Sequence, residues 1–175
     1  EKVANRPSLH DIFDRASLNC AFPLATTIRA GVVLVACEGA KRSVLLVHEQ
    51  VRVCNSGGRV FTLPENRGVP KGAMEAEDIS ALATAARELR EETGIDLATA
   101  TLSRTTIHCY RGEVAELIVW FIATVPERPA VTIRADELSG YSWWDINDLP
   151  AVTPVTRPSQ ALFHGLSQID FWEQG

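Results

Sequence analysis

The sequence lacks features that mark several common functional classes. No apolar run approaches the roughly 20 residues that a membrane-spanning helix requires, so we expect no contact with the membrane interior. Lys and Arg number 17 against 22 Asp and Glu, which argues against a general nucleic-acid binder, because non-specific binding to a polyanion depends on excess cations. Low-complexity tracts and internal repeats are also missing. Because the net charge is -5, any phosphate-rich substrate would need local cations or metal ions.

Cysteine is scarce and widely spaced. The four cysteines, Cys20, Cys37, Cys54 and Cys109, form no C-x-x-C pair, so we expect neither a zinc site nor a thioredoxin-like motif. We expect these thiols to be small buried hydrophobic groups in a reduced, intracellular and cytoplasmic protein. Because the chain begins with Glu1 rather than Met, the sequence leaves open whether an organellar targeting segment has been removed.

The length of 175 residues and the hydrophobic content of 46% indicate one domain with a real core. We interpret residues 1–27 as a leader packed on the domain, with a short helix in "SLHDIFDRASL", and residues 28–175 as the domain itself. The oligomeric state is not indicated.

The apolar pattern predicts a mixed sheet with helices packed against it. Two Val- and Leu-rich runs, separated by a turn at Gly39, predict a hairpin buried on both faces. A second antiparallel pair is expected to turn near Gly112, followed by the strand "YSWWDI" and a closing helix in "RPSQALFHGLSQIDFWEQ". The fold class is therefore α/β.

Residues 79–93 form the clearest predicted helix. Asp78 or Ser80 is suited to cap its start, and Gly94 its end. The residues expected to form its buried stripe are Ile79, Leu82, Ala86 and Leu89.

Three carboxylates lie on one face near the end of this helix, at Glu88, Glu91 and Glu92. Like charges at these spacings repel, and the helix dipole prefers cations there, although Arg87 can pair with Glu91. A divalent ion such as Mg²⁺ would reverse the balance. On these three residues alone, a solvated helix face is the more common arrangement.

The wider stretch "PKGAMEAEDISALATAARELREETGI" resembles the Nudix box, G-x5-E-x7-R-E-U-x-E-E-x-G-U with U aliphatic. Gly72 opens the pattern, and its second half is matched by Arg87, Glu88, Leu89, Glu91, Glu92, Gly94 and Ile95. The segment between Gly72 and Arg87 is one residue longer than the pattern. The resemblance therefore puts Glu77 or Asp78 in the place of the mid-box glutamate, which has a structural role.

The resemblance implies a Nudix-type α/β/α sandwich, with a mixed β-sheet between helices, that hydrolyses a nucleoside diphosphate linked to another group. It implies Mg²⁺ or Mn²⁺ as cofactor, held by Glu88, Glu91, Glu92 and the Gly72 carbonyl, with Arg87 orienting the carboxylates. Expected substrate contacts are Lys71, Gly72 and Arg67. An acid outside the box is expected to act as ligand or base, and among Glu116, Asp136 and Glu137 we favour Glu137, which lies in a loop that could overhang the site.

The substrate is less constrained than the chemistry. The extra box residue, "GAME" and "WWDINDLP" are similar to the diphosphoinositol polyphosphate and dinucleoside polyphosphate hydrolase branch. Scattered Lys and Arg residues slightly favour dinucleoside polyphosphates. One alternative is an RNA 5′-end pyrophosphohydrolase or decapping enzyme, with residues 55–67 shaping a base pocket. Another is a catalytically silent Nudix-fold nucleotide-binding module, against which the intact glutamates argue.

The aromatic and imidazole side chains are ambiguous. Trp143 or Trp144 could stack on a base, but in a strand we expect at least one of them to pack in the core. His48, His108 and His164 share no motif, so we expect structural roles for them.

Overall fold

A computed structural model of the protein describes residues 8–50, 52–63, 66–111, 115–152 and 157–166. The helices are α1 (Leu9–Ile12), α2 (Arg15–Ala21), α3 (Ala81–Thr93) and α4 (Arg157–Leu166), with short 3-10 turns at Leu97–Thr99 and Ile146–Ala151. The strands are β1 (Thr27–Glu38), β2 (Lys41–Glu49), β3 (Arg52–Ser56), β4 (Arg59–Leu63), β5 (Asn66–Gly68), β6 (Lys71–Ala73), β7 (Thr101–Arg111), β8 (Ala115–Val125) and β9 (Leu138–Asp145).

The main sheet is mixed. Its central order is β5-β2-β1-β8-β7, with β6 added to β1 and β9 to β2. β1 runs parallel to β8, whereas the other described pairings in this sheet are antiparallel. The predicted hairpin turns at Gly39, whose φ of 62° suits glycine, and the predicted second antiparallel pair is β7 and β8. Gly112 itself lies outside the described residues.

β1 and β2 separate along their length and form a fork. β1 pairs with β2 only from Val35 onward, and its earlier half pairs with β6. The far half of β2 pairs with β5, where Glu49 lies opposite Asn66. Since β8 and β9 occupy the other edges of β1 and β2, the chain from Asn66 to Ala73 fills the fork. The β3–β4 hairpin leaves and re-enters the sheet beside Glu49 and Asn66.

Helices cover both faces of the sheet. Alternate residues of β1, such as Val32 and Leu34, join the buried cluster that includes Leu89 of α3. The residues between them, such as Val33 and Val35, join a second cluster that includes α4. The predicted α/β/α sandwich is therefore confirmed, and its central strands are buried on both faces. No helix in the described ranges combines the length and apolarity needed to cross a membrane.

Helix α3 begins and ends at chemically suitable residues. The Ser80 hydroxyl accepts the Ala83 N–H at 3.1 Å, and Gly94 adopts a φ of 73° and donates to the Arg90 carbonyl. Ser80, not Asp78, is thus the cap. The buried stripe was partly wrong, because Ile79 precedes the helix and is 70% exposed, whereas Glu92 lies on the buried side.

The N-terminal part packs on α3 through two short helices instead of one. Asp14 caps α2 and interrupts the helix expected from the sequence. Between the helices, Phe13 packs edge-on against Phe121 at 5.5 Å between ring centroids. Its carbonyl also accepts the Ala81 N–H at 2.8 Å. The described part of the leader therefore contacts the first turn of α3; its assignment as a unit separate from residues 28–175 stays a prediction.

Two minor expectations had opposite outcomes. The prediction that the cysteine thiols are buried was wrong for Cys20 and Cys109, which are exposed, while Cys37 is half-buried. Core packing of the tryptophans was right: Trp143 contacts the cluster on the α3 face and Trp144 the cluster on the α4 face. The closing helix is α4, although residues beyond Leu166 lie outside the described part.

Candidate active site

Gly72 lies in β6, opposite Ala30 of β1, where the sheet meets α3. A Cβ atom at this position would overlap the carboxyl group of Glu88. Glycine at this position therefore leaves room for the Glu88 carboxyl group directly against the β6 backbone. The consequence is direct contact between this backbone and the first glutamate of the helical face.

Arg87 links the helix to the preceding loop. Its Nη1 donates to Glu88 Oε1 at 2.9 Å and to Glu91 Oε2 at 3.2 Å. Its Nη2 donates to the Ala73 carbonyl and to Asp78 Oδ2, each at 3.0 Å, and its Nε donates to Asp78 Oδ1 at 3.2 Å. These five bonds match the five N–H donors of a guanidinium, so Arg87 is fully engaged.

Asp78 occupies the place of the mid-box acid. Besides Arg87, it accepts the Thr84 hydroxyl and the Glu75 N–H, each at 2.9 Å. Partial burial alone would raise the pKa of Asp78, but these hydrogen bonds, led by that from Arg87, hold it below its usual value. Counting from Gly72, the box spacing is thus preserved to Asp78, and the extra residue lies between Asp78 and Arg87.

Glu92 is the most deeply buried of the three glutamates, with 9% of its surface exposed. Its Oε2 atom has no hydrogen-bond partner among the described residues. Burial raises the pKa of Glu92 to about 8, and the nearby Glu88 carboxylate adds to this, while Lys71 opposes it. Burial also raises the pKa of Glu88, against the effect of Arg87.

These groups fit a hard divalent cation in the type and charge of their donors. Carboxylate and carbonyl oxygens are the ligands that Mg²⁺ and Mn²⁺ prefer, and a buried carboxylate oxygen without a partner is costly unless a cation or proton joins it. Within the described ranges, no three acidic, His or Cys side chains already converge as a metal site. Glu88 and Glu91 instead share the Nη1 group of Arg87.

Lys71 is directed into the protein. Its side chain is only 8% exposed, and its Nζ lies 3.7 Å from Glu49 Oε1. Burial lowers the pKa of Lys71, while the negative charge of Glu49 opposes that shift. The chain at Pro70 and Lys71 packs directly against Gly31 of β1. A Cβ at Gly31 would be 2.6 Å from the Pro70 carbonyl oxygen, so glycine is needed there. A substrate contact by Lys71 stays a prediction.

Arg67 is not grouped with the glutamates. Its guanidinium carbon lies 5.9 Å from the ring centroid of Trp144, which packs on the α4 face of the sheet, opposite α3. Its predicted substrate role is therefore untested by the contacts of this structure.

The loop formed by residues 126–137 closes against the end of α3. Thr132 and Arg134 donate their backbone N–H groups to the carbonyls of Thr93 and Glu92, at 2.9 and 3.2 Å. These bonds satisfy carbonyl groups that a helix terminus otherwise leaves without a partner. The loop therefore has a defined position over the carboxylates.

Of the three acids considered outside the box, Glu137 is the one whose charge acts on the carboxyl groups of Glu88 and Glu92. Its carboxylate raises the pKa of both Glu88 and Glu92, although less than burial does. Asp136 is exposed and binds Arg134 Nε at 3.1 Å. Glu116 is the second residue of β8 and lines a separate groove of about 220 Å³ together with Phe22, Leu24 and Cys109.

Arg134 is a site residue that the sequence interpretation missed. Its Nη1 lies 3.8 Å from Glu91 Oε2, and its Nη2 lies 3.7 Å from Glu137 Oε1. The available signal was a single cation within the acidic loop sequence "RADE". Its significance depends on the loop folding back onto α3.

A sequence model of the NUDIX domain matches residues 26–164. The chain belongs to the Nudix family. This match covers both the fork in the sheet and all the box residues described above, and the chain carries a Nudix hydrolase domain. The box motif predicted from the sequence is thereby confirmed at the level of the family.

Solved Nudix structures share this fold at low sequence identity. An Ap4A hydrolase of C. elegans in a binary complex is 18% identical, with a TM-score of 0.64 over 81% of this chain and 96% of that one. The Nudix hydrolase RenU of M. smegmatis is 18% identical, with a TM-score of 0.64 over 82% and 84%. The NUDIX domain of Shewanella oneidensis NrtR, complexed with ADP ribose, is 21% identical, with a TM-score of 0.59 over 86% and 94%. No curated protein sequence matches the chain. At these identities the likeness establishes the fold and not the substrate.

Proposed function

We propose that this Nudix domain hydrolyses a pyrophosphate bond in a substrate of the nucleoside-diphosphate-X type, using Mg²⁺ or Mn²⁺. The observation that carries the proposal is Glu92, which is buried beside Glu88 with one carboxylate oxygen lacking a partner among the described residues. A buried carboxylate oxygen without a partner destabilises the fold, whereas a bound metal ion would give that oxygen a partner.

Glu88, Glu91, Glu92 and the Gly72 carbonyl would hold the metal. When bound, a divalent ion polarises a phosphoryl oxygen and lowers the pKa of a bound water. Arg87 orients Glu88 and Glu91 through its Nη1, and Asp78 fixes Arg87 in turn. We propose Glu137 as the proton acceptor for the attacking water; its negative charge acts on both Glu88 and Glu92, which supports this role.

Among substrates, dinucleoside polyphosphates are favoured over diphosphoinositol polyphosphates. A ring carrying many phosphates needs a dense cluster of cations. Beside the box, Arg87 is engaged by five hydrogen bonds and the Lys71 side chain is largely buried, so these two residues do not form a dense cluster of exposed cations. The structural likeness to an Ap4A hydrolase is compatible with this order.

A substrate panel tests the proposal. Purified protein with Mg²⁺ or Mn²⁺ is assayed for release of phosphate, pyrophosphate and nucleotide products from diadenosine polyphosphates, diphosphoinositol polyphosphates, nucleoside triphosphates, nucleotide sugars and triphosphorylated RNA. We expect metal-dependent cleavage, with the highest kcat/KM for a diadenosine polyphosphate. Preferred cleavage of RNA would instead support the 5′-end alternative, and metal-dependent binding without turnover would support the silent module.

Two site variants and a matched control complete the test. Glu91→Gln and Glu92→Gln remove one carboxylate charge each with little change in shape, and turnover should fall by orders of magnitude in both. Glu127→Gln removes the same charge from an exposed position in the 126–137 loop and should leave turnover unchanged. Unchanged activity in both site variants contradicts the assignment.

A further inference from the structure

The cations beside the box differ in how much of their bonding capacity is already used. Arg87 directs all five of its N–H groups to protein acceptors. The Lys71 side chain is 8% exposed and faces Glu49. Arg87 therefore has no N–H group left for a substrate phosphate, and the Lys71 ammonium is largely covered by protein.

Arg134 is bound far less tightly. Its side chain is 40% exposed, and its terminal nitrogens approach Glu91 and Glu137 only at 3.8 and 3.7 Å, beyond hydrogen-bond distance. Its hydrogen bonds to a side chain within the described ranges run from Nε to Asp136. The two Nη groups therefore face the carboxylate site with donors to spare.

The position of Arg134 does not depend on its side chain. Its backbone N–H donates to the Glu92 carbonyl at 3.2 Å, and its own carbonyl accepts the N–H groups of Glu137 and Leu138 at 3.1 and 2.9 Å. The backbone thus holds this residue at the end of α3, next to the glutamates. The backbone at Arg134 therefore needs no reordering when its side chain binds a ligand.

We propose that Arg134 is a substrate-binding residue whose guanidinium holds a phosphate oxygen of the pyrophosphate group. This inference rests on the proposed function. The carboxylates around Arg134 repel a polyanion, and a metal ion bound to Glu88, Glu91 and Glu92 would weaken the attraction between Glu91 and Arg134. The planar fork of a guanidinium matches phosphate oxygens, which makes it the suitable group to bind there.

The test measures binding of methylenediphosphonate, a pyrophosphate analogue that cannot be hydrolysed, by isothermal titration calorimetry in excess Mg²⁺. Arg134→Gln should weaken binding about ten- to hundredfold, as expected for loss of charge-assisted hydrogen bonds, and Arg134→Lys should recover part of the affinity. Arg128→Gln is the matched control: it removes the same charge from the same loop, at a side chain of similar exposure that pairs with Glu38 instead. It should bind like the wild type.

A second titration, with Mg²⁺ alone, separates phosphate binding from a positioning role. We expect Arg134→Gln to bind Mg²⁺ as well as the wild type or more tightly, because a positive charge has left the carboxylates. Weaker Mg²⁺ binding in this variant, or equal affinity for methylenediphosphonate in wild type and variant, overturns the inference. Absence of turnover on the whole substrate panel, with Arg134-dependent binding of methylenediphosphonate retained, would remove the proposed hydrolysis and leave this inference in place.

Discussion

Asp78 and Arg87 are joined by two parallel hydrogen bonds, from Nε to Oδ1 at 3.2 Å and from Nη2 to Oδ2 at 3.0 Å. Arg87 in turn binds Glu88 and Glu91, so Asp78 acts on the carboxylate face without touching it. Arg87 therefore links the loop before α3 to the carboxylate face of α3.

Replacing Asp78 by Asn should destabilise the protein by about 2 kcal/mol, because the partly buried Arg87 loses a charged partner. Turnover should fall as well, since Arg87 is freed to rotate away from Glu88 and Glu91. Chemical unfolding and kcat measurements check both effects. Glu77→Gln alters the exposed neighbour that the sequence could not distinguish from Asp78, and it should change neither quantity.

Gly72→Ala should displace the Glu88 carboxyl group from its place against β6. The added methyl group overlaps the Glu88 carboxyl, so that side chain must move, at a cost of about 1–3 kcal/mol. Titration with Mn²⁺ followed by electron paramagnetic resonance should show weaker metal binding. Gly140→Ala serves as control, because a Cβ there meets only ordinary contact with His48 at 3.5 Å. Normal metal affinity in Gly72→Ala would contradict the close approach described here.

Stability of the metal-free protein should fall as pH rises from about 4.5 to about 8. The pKa of Glu92 is raised from 4.5 to about 8 by burial, so in this window the folded state keeps a proton that the unfolded state has released. The stabilisation is fully present below 4.5 and lost above 8, and amounts to a few kcal/mol at most. Urea unfolding at several pH values in EDTA measures it.

Glu92→Gln should remove most of this slope, while Glu127→Gln should retain it. Excess Mg²⁺ should oppose the decline in the wild type, because the cation favours the ionised carboxylate. An equal slope in wild type and Glu92→Gln would show that other groups control the pH dependence.

Phe13→Ala should destabilise the whole domain and not only the N-terminal helices. Phe13 packs against Phe121 in the core cluster on the α3 face, and we expect a loss of about 2 to 3 kcal/mol. A single, shifted thermal transition would show this. Leu9→Ala removes an apolar side chain from the same segment that is 37% exposed, and it should have a small effect.

The features predicted correctly from the sequence are those set by local patterns. The continuous apolar runs of β1 and β2 indicated strands buried on both faces, and the spacing of Gly94 after the helix indicated its cap. The box motif identified the family because it specifies residues within one loop and one helix.

The features that were missed depend on residues distant in the chain. Lys71 of β6 is buried beside Glu49 of β2. The hydrophobic periodicity of the sequence does not indicate which distant residues come into contact. Arg134 lies beside the glutamates because its loop folds back onto α3, where the Arg134 N–H donates to the Glu92 carbonyl. Likewise, Ile79 fits the helical spacing, but Ser80 starts the helix one residue too late to include it.

The β3–β4 hairpin connects two residues, Glu49 and Asn66, that already face each other in the sheet. Its length and composition can therefore change without altering the spacing from Asn66 to Gly72, or the pairing of Gly72 with Ala30. A hairpin grafted from another Nudix protein would begin and end at the same two points. The chain can therefore vary at this hairpin while the glutamate-bearing helix and the glycine beside it keep their geometry.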